Sequence, residues 1–552
     1  MAGGLTPDAP DLAPVQVVRP FPRRRLLGAL ALVALVLAGA MAGSRGATSG
    51  AGGIPLGAGA ANPGEVRILS GVPASLDPAA GGDIGSASVT AQLYEGLTAF
   101  DPGLVLRPAL ARSWDSSDGG RRVVFHLRPG LTFSDGTPLT GADVVRSWLR
   151  LIDPAAPSPL ASLMSDVVGA DDYRAGRSRD TRAVGLAADG TDVTVRLINP
   201  ASDLPSIIAA APFAVVPAGV ADGSALTPGR FVGSGGYVLA ALTDTELTLT
   251  ANAHYWAGLP AINTVHLVVS LGGRSPVTAF QDGDLDYTEI GTYDASWIRS
   301  DPSLGPALRS VPSLSLEYLG FDTSRAPFDQ VLVRQAVGAA IDWRRLVALA
   351  SPGNDTPATA MVPPGMPGRD PGIFLPAYQP DRARALLAQA GYPGGKGFPA
   401  VAFVTGGSSY GEAIRAGLQS ALGISLGYET MVSDDYFTRL RDDPPAIWTL
   451  GWIADYPGPN DFLGVLLRSD STNNSGRWRS PEFDQAIADA GAASDGAAIA
   501  AAFARAQGVV QRDVPVIPLA NGDGWALSRT GLLGASQNGL GILRIAGLAW
   551  AR

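Results

Sequence analysis

The sequence predicts an α/β protein with long irregular connections. Three observations carry that expectation. Strand-like and helix-like segments alternate along most of the chain. No short repeat period is visible, which excludes solenoids and propellers. The 552 residues include 69 Gly and 44 Pro, a usage that demands many turns and loops. At roughly 100–200 residues per domain, this length predicts about three or four domains.

In chain order, Val66–Ser70 reads as a short apolar strand and Val89–Ala99 has helical spacing. Arg121–Leu127 reads as a strand ending at the turn Arg128-Pro129-Gly130, and Ser134–Pro138 forms another turn. Thr140–Leu151 reads as a helix, with Thr140 as N-cap and Asp143 three residues on, near the positive end. Strands follow at Asp192–Leu197, Glu246–Ala251, Thr264–Ser270 and Leu314–Phe321, then a helix at Asp329–Ile341. A helix over Asp381–Ala390 opens on Asp381 as its cap and stops at Gly391-Tyr392-Pro393. The strand Val401–Thr405, helix Glu412–Leu422, strand Ile447–Trp452, helix Pro481–Ala490 and strand Val516–Leu519 complete the series.

The N-terminus stands apart from this body. Residues 1–25 form a basic n-region with Arg19, Arg23, Arg24 and Arg25, and residues 26–43 are apolar and uncharged. That order is an export signature. Eighteen helical residues span ~27 Å, just short of the ~30 Å hydrocarbon core. The run is therefore either a signal peptide or an anchor with its arginines in the cytoplasm. Residues 44–64, rich in Gly, Ala and Ser, read as a flexible linker. The body from Glu65 onward is expected outside the cytoplasmic membrane, at the cell surface or in a periplasm.

Composition removes several function classes. The net charge of −9 argues against nucleic acid as a partner, since such proteins carry a basic stripe. The chain has no Cys, so disulfides, Cys-ligated zinc, iron–sulfur clusters, thiol catalysis and Cys lipidation are excluded. Gly407-Ser408-Ser409-Tyr410-Gly411 fits G-x-S-x-G between a strand and a helix, as a nucleophile elbow would. Yet His126, His254 and His266 all precede Ser409, where that fold needs a later general base. A Gly/Ser-rich turn is the simpler account. The histidines lack metal-ligand spacing, and Asp282–Asp286 lacks the rest of a calcium loop. No cofactor, metal site or catalytic constellation is expected.

A series of motifs then carries a resemblance. It begins with Leu76-Asp77-Pro78, Tyr94-Glu95-Gly96-Leu97 and Arg107–Trp114 (RPALARSW). Phe125–Trp148 (FHLRPGLTFSDGTPLTGADVVRSW), Gly233–Tyr237, Asn252–Pro260 and Phe280–Asp286 follow in order. Arg334-Gln335-Ala336, Ala388–Pro393, Gly451–Leu463 (GWIADYPGPNDFL) and Val514–Leu519 close it. Together they make the body resemble the family-5 extracellular solute-binding proteins of ABC importers, the oligopeptide and dipeptide class. Many Gram-positive members are tethered by a lipidated Cys; here retention would fall to residues 26–43.

The resemblance implies a two-lobed fold of the periplasmic-binding-protein kind (type II, cluster C), with an extra subdomain on the first lobe. Lobe 1 would comprise 65–95, 209–312 and 516–552, the subdomain 96–208, and lobe 2 313–515, joined by paired hinge segments. It implies a monomeric carrier that binds a short peptide between the lobes and delivers it to an ABC permease with its ATPase subunits. Asp455 matches the family's aspartate that holds the ligand's α-ammonium group. A carboxylate suits that role because it only accepts hydrogen bonds and compensates charge. Trp452 and Tyr456 would be apolar walls or ordinary packing. The backbone at Gly451 and Ile453, and at Gly82, Asp83 and Ile84, would pair with an extended peptide. Alternatives are another solute on the same fold (an oligosaccharide, a metal chelate or an amino-modified compound), an exported serine hydrolase, and an anchored sensor.

Overall fold

The computed structural model describes residues 62–551 apart from 82, 222, 224, 225, 352–354 and 432. The basic n-region, the apolar run 26–43 and nearly all of the linker therefore lie outside the described residues.

A long mixed sheet organises the body. Its main path runs Leu426–Thr430, Val401–Thr405, Ile447–Ile453, Ser315–Phe321, Val516–Ser528, Tyr287–Ile290, Glu65–Leu69, Thr264–Val268, Glu246–Ala251 and Tyr237–Leu242. Leu308–Pro312 and Asp355–Pro357 also pair with Val516–Ser528. That long strand spans two halves. Val516–Ala520 pairs with Ser315–Phe321 in one, and Trp525–Ser528 pairs with Tyr287–Ile290 in the other.

The halves are joined by two adjacent crossings, near Ser313–Ser315 and Asn521–Gly524. Asn521 Nδ2 donates to the Ser315 carbonyl at 2.9 Å, and the Gly522 N–H to Ser315 Oγ at 3.2 Å. Alternate residues of each strand enter opposite cores, as the period of two requires. In one half Ile68, Tyr287 and Ala526 face one core, and Leu527 faces the other. In the second half Leu316 and Tyr318 face one core, Leu319 and Phe321 the other.

A further unit has its own core. Its antiparallel sheet runs Ala111–Ser117, Arg122–Leu127, Asp192–Arg196, Leu186–Asp189. The helix Gly141–Leu151 packs Trp148 edge-on between Phe125 and Phe213, with ring centroids 6.4 and 5.6 Å apart. Its N-terminus is a capping box, in which Asp143 Oδ2 accepts from the Thr140 N–H at 2.8 Å. The unit is tied to the first half by Arg150 on Asp77 and by Trp148 Nε1, which donates to the Phe213 carbonyl at 2.8 Å. It also touches the second half: Ser202 Oγ donates to the Ala490 carbonyl at 3.1 Å, and Phe100 and Leu104 are buried in that half's core.

Several elements differ from the sequence expectation. The helix read at Val89–Ala99 is Ile84–Leu93, because Asp83 caps it from further upstream, and Thr98–Phe100 is a strand. The helix expected from Asp381 begins at Pro380 with Gln379 at the cap position, the usual place for Pro in a first turn. The last strand runs on to Ser528. The helix Gly496–Asp513 has no counterpart in the sequence reading.

Candidate ligand-binding site

The strand Ile447–Ile453 ends in the loop that carries Asp455. Ile453, Ala454 and Asp455 line a cavity of about 280 Å³ whose facing wall includes Gly81, Asp83 and Ile84. Both halves thus contribute to one site. Apolar walls come from Leu160, Ala209–Pro212, Leu540 and Ile542, three distant stretches with no chemical signature to betray them in the sequence.

The Asp455 carboxyl has no cationic partner among the described residues. Burial alone pushes its carboxyl up from 3.8 to about 6; no donor or cation among the described residues offsets that cost. The loop is held by Asp461, which is fully buried. Asp461 Oδ2 accepts from Trp452 Nε1 at 3.0 Å and from the Asp455 N–H at 3.2 Å. Burial, and then the neighbouring Asp455, push the Asp461 carboxyl up as well. The site therefore presents a carboxyl that is desolvated without being paired, which favours a ligand bringing positive charge.

Asp83 is the opposite case. Burial acts to raise its carboxyl, but hydrogen bonds from Ser86 and nearby backbone N–H groups win and hold it below the ordinary value. Its two oxygens accept from the Ser86 N–H at 2.8 Å and from Ser86 Oγ at 2.6 Å, and its carbonyl accepts from the Ala87 N–H at 3.0 Å. Ile84 beside it is 46% exposed and offers an apolar surface to the cavity.

Ile447–Ile453 offers a free edge. One edge pairs along its whole length with Ser315–Phe321, while the other meets Val401–Thr405 only at Ile447 and Trp448. The Tyr436 hydroxyl takes the Thr449 carbonyl. Gly451 further along is exposed, and a Cβ there would meet nothing within 4 Å. An extended ligand backbone could add to such an edge.

The remaining expected residues lie elsewhere. Trp452 is half-buried against the second half's core and serves Asp461. Tyr456 has no exposed surface; its hydroxyl donates to Asp203 Oδ2 at 2.7 Å. Neither residue, nor Gly451, lines the Asp455 cavity. Gly82 falls outside the described residues. In the G-x-S-x-G segment Ser409 is exposed, and Ser408 Oγ donates to Glu317 Oε1. His126 is held between Asp115 and Asp192, and His266 against Glu246.

Comparison with known proteins identifies the family. The family described as "Bacterial extracellular solute-binding proteins, family 5 Middle" matches residues 105–474, more than half of the chain. The chain belongs to this family. Among relatives, the probable deoxycholate-binding periplasmic protein YgiS of Escherichia coli (strain K12) is 29% identical, over 81% of this chain and 86% of that protein. The periplasmic oligopeptide-binding protein OppA of Salmonella typhimurium (strain LT2) is 27% identical, over 81% and 84%. Among solved structures, the unliganded open form of the periplasmic murein tripeptide-binding protein MppA superposes with a TM-score of 0.76 at 25% identity, covering 90% of this solute-binding protein and 99% of that chain. The two-lobed α/β fold of this solute-binding protein is thus shared with periplasmic peptide-binding proteins.

Proposed function

We propose that this solute-binding protein captures short peptides with a free α-ammonium group and hands them unchanged to an ABC permease. The observation that carries the reading is Asp455, buried enough to lose much of its hydration yet without a cationic partner. A bound ammonium would supply that partner. Main-chain pairing along the free edge at Gly451–Ile453 would supply affinity without reading side chains. OppA and MppA are named for binding oligopeptides and murein tripeptide. The deoxycholate named for YgiS is an anion, and a lone carboxylate in the cavity disfavours it here.

In this reading the moving bodies follow the division inferred from sequence, with the return crossing placed at Asn521–Gly524. Ligand touching both walls shifts the population towards the closed form. The carrier works outside the cytoplasmic membrane as a monomer, retained or exported through residues 26–43. It performs no chemistry on its cargo.

Thermal shifts with a short peptide and its N-acetylated form test the proposal. Free peptide should stabilise the protein clearly and acetylated peptide much less. Asp455→Ala should abolish the difference. Equal shifts for both forms in the native protein would remove the ammonium argument.

A further inference from the structure

The loop carrying Asp455 has a second face. Beyond Tyr456, Pro457–Asn460 line a separate cavity of about 600 Å³, against about 280 Å³ on the Asp455 side. The two cavities share no lining residue. The facing wall is the inserted unit at Asn199–Leu204, and Ile487, Ile499 and Phe503 contribute from the helices Pro481–Ala492 and Gly496–Asp513. A volume of this order accommodates a small organic molecule, bound by apolar walls and oriented by a few polar groups.

The charged groups of this cavity differ in what they already hold. Arg468 is committed to acids, with Nε 2.5 Å from Asp470 and Nη1 3.7 Å from Asp166. Asp484 accepts from the Ser469 N–H at 3.0 Å. Asp203 receives only neutral donors: the Tyr456 hydroxyl at 2.7 Å and Asn460 Nδ2 at 3.1 Å, both on Oδ2. Burial raises its carboxyl and the nearby Asp166 adds to the rise; only the hydrogen bonds from Tyr456, Asn460 and its own backbone oppose them, and no cation among the described residues pairs with it. A carboxyl enclosed by neutral donors beside apolar space is a receptor for an amine.

We propose that the cavity between Asp203 and Phe503 is a second binding site, for a small primary amine with an apolar body, independent of the Asp455 site. Calorimetric titration of the full-length Asp455→Asn variant with phenethylamine tests it, since that variant silences the other carboxylate. Saturable binding is expected, with none for phenethyl alcohol or phenylacetate at the same concentrations. Adding Asp203→Asn should weaken binding about tenfold or more. Ile499→Trp, which fills the far wall and leaves the carboxylate in place, should do the same. Absence of saturable binding overturns the proposal, as does equal binding of the alcohol, or affinity unchanged by Ile499→Trp in a variant that melts cooperatively. Failure here leaves the peptide reading untouched, because the Asp455 carboxylate plays no part in the assay.

Discussion

Asp83 and Asp455 face the same cavity from opposite halves, yet their carboxyl groups are shifted in opposite directions. Burial acts against the charge on both. Asp83 sits at a helix start, where unpaired N–H groups converge, and Ser86 completes its hydrogen bonding. Asp455 sits in a loop whose spare donors, the Trp452 indole and its own N–H, are taken by Asp461. One carboxylate is spent on the fold and the other is left for a ligand. Removing each should therefore have different consequences. Asp455→Asn should cost about 2–5 kcal/mol in affinity for a free-amine peptide, the scale for stranding one partner of an enclosed charge pair. Titration calorimetry checks this, and a loss below about 1 kcal/mol would place the ammonium elsewhere.

Acidity should sharpen the contrast. The folded Asp455 carboxyl titrates above its ordinary value of 3.8, at about 6, so the folded state holds that proton more tightly than the unfolded chain. Stability of the ligand-free protein therefore falls as pH rises through this window and rises on acidification from pH 7. The full shift corresponds to up to about 3 kcal/mol. Asp203, Glu289 and Glu317, also raised by burial, act in the same direction. Asp83, held low, contributes stability that is lost as pH falls through its folded value. Denaturant midpoints of native protein and Asp455→Asn, measured from pH 7 to pH 4, report the joint share of Asp455 and its neighbour Asp461. Peptide affinity should drop over the same range, since a neutral carboxyl no longer compensates an ammonium. A flat difference between the two proteins would break the comparison.

Asp83→Ala should act on the fold alone. Loss of the cap should lower unfolding stability by about 1 kcal/mol, while discrimination between free and acetylated peptide survives. Rescue by Asp83→Ser, which caps without a charge, would show that hydrogen bonding rather than electrostatics is the contribution. Loss of discrimination in Asp83→Ala would mean that both carboxylates read the ligand.

How much of this the sequence disclosed depends on how local the cause is. The capping box at Thr140 and Asp143 was legible because both partners lie within one turn. The start of Ile84–Leu93 was not: its buried positions include Ser86, Thr90 and Gln92, the last satisfied by the distant Leu543 carbonyl, so no apolar stripe marks it. Gly496–Asp513 is rich in Ala, which favours helix but hardly signals a buried face. The strand expected to stop at Leu519 continues through Asn521-Gly522-Asp523-Gly524, where Leu308–Pro312 and Asp355–Pro357 pair with it. The site divides the same way. Asp455 could be picked from its own segment, whereas the partner of Tyr456, Asp203, lies 253 residues away.

The smallest effect concerns the free edge beside these carboxylates. A Cβ at Gly451 would meet nothing within 4 Å in the ligand-free protein, so Gly451→Ala should leave stability within about 0.5 kcal/mol. A peptide laid along Leu450–Ile453 would put one of its own residues opposite Gly451, with the two Cβ atoms about 4.5–5.5 Å apart on one face of the sheet. Affinity should then change by about 1 kcal/mol or less, by an amount set by the peptide side chain opposite position 451. The comparison with Asp455→Asn is informative in kind as well as size. Gly451→Ala should act on free and acetylated peptides alike, since it alters a cross-strand contact and leaves the charge alone. An unchanged affinity for both would mean that the ligand is gripped at its ammonium end and does not extend the sheet.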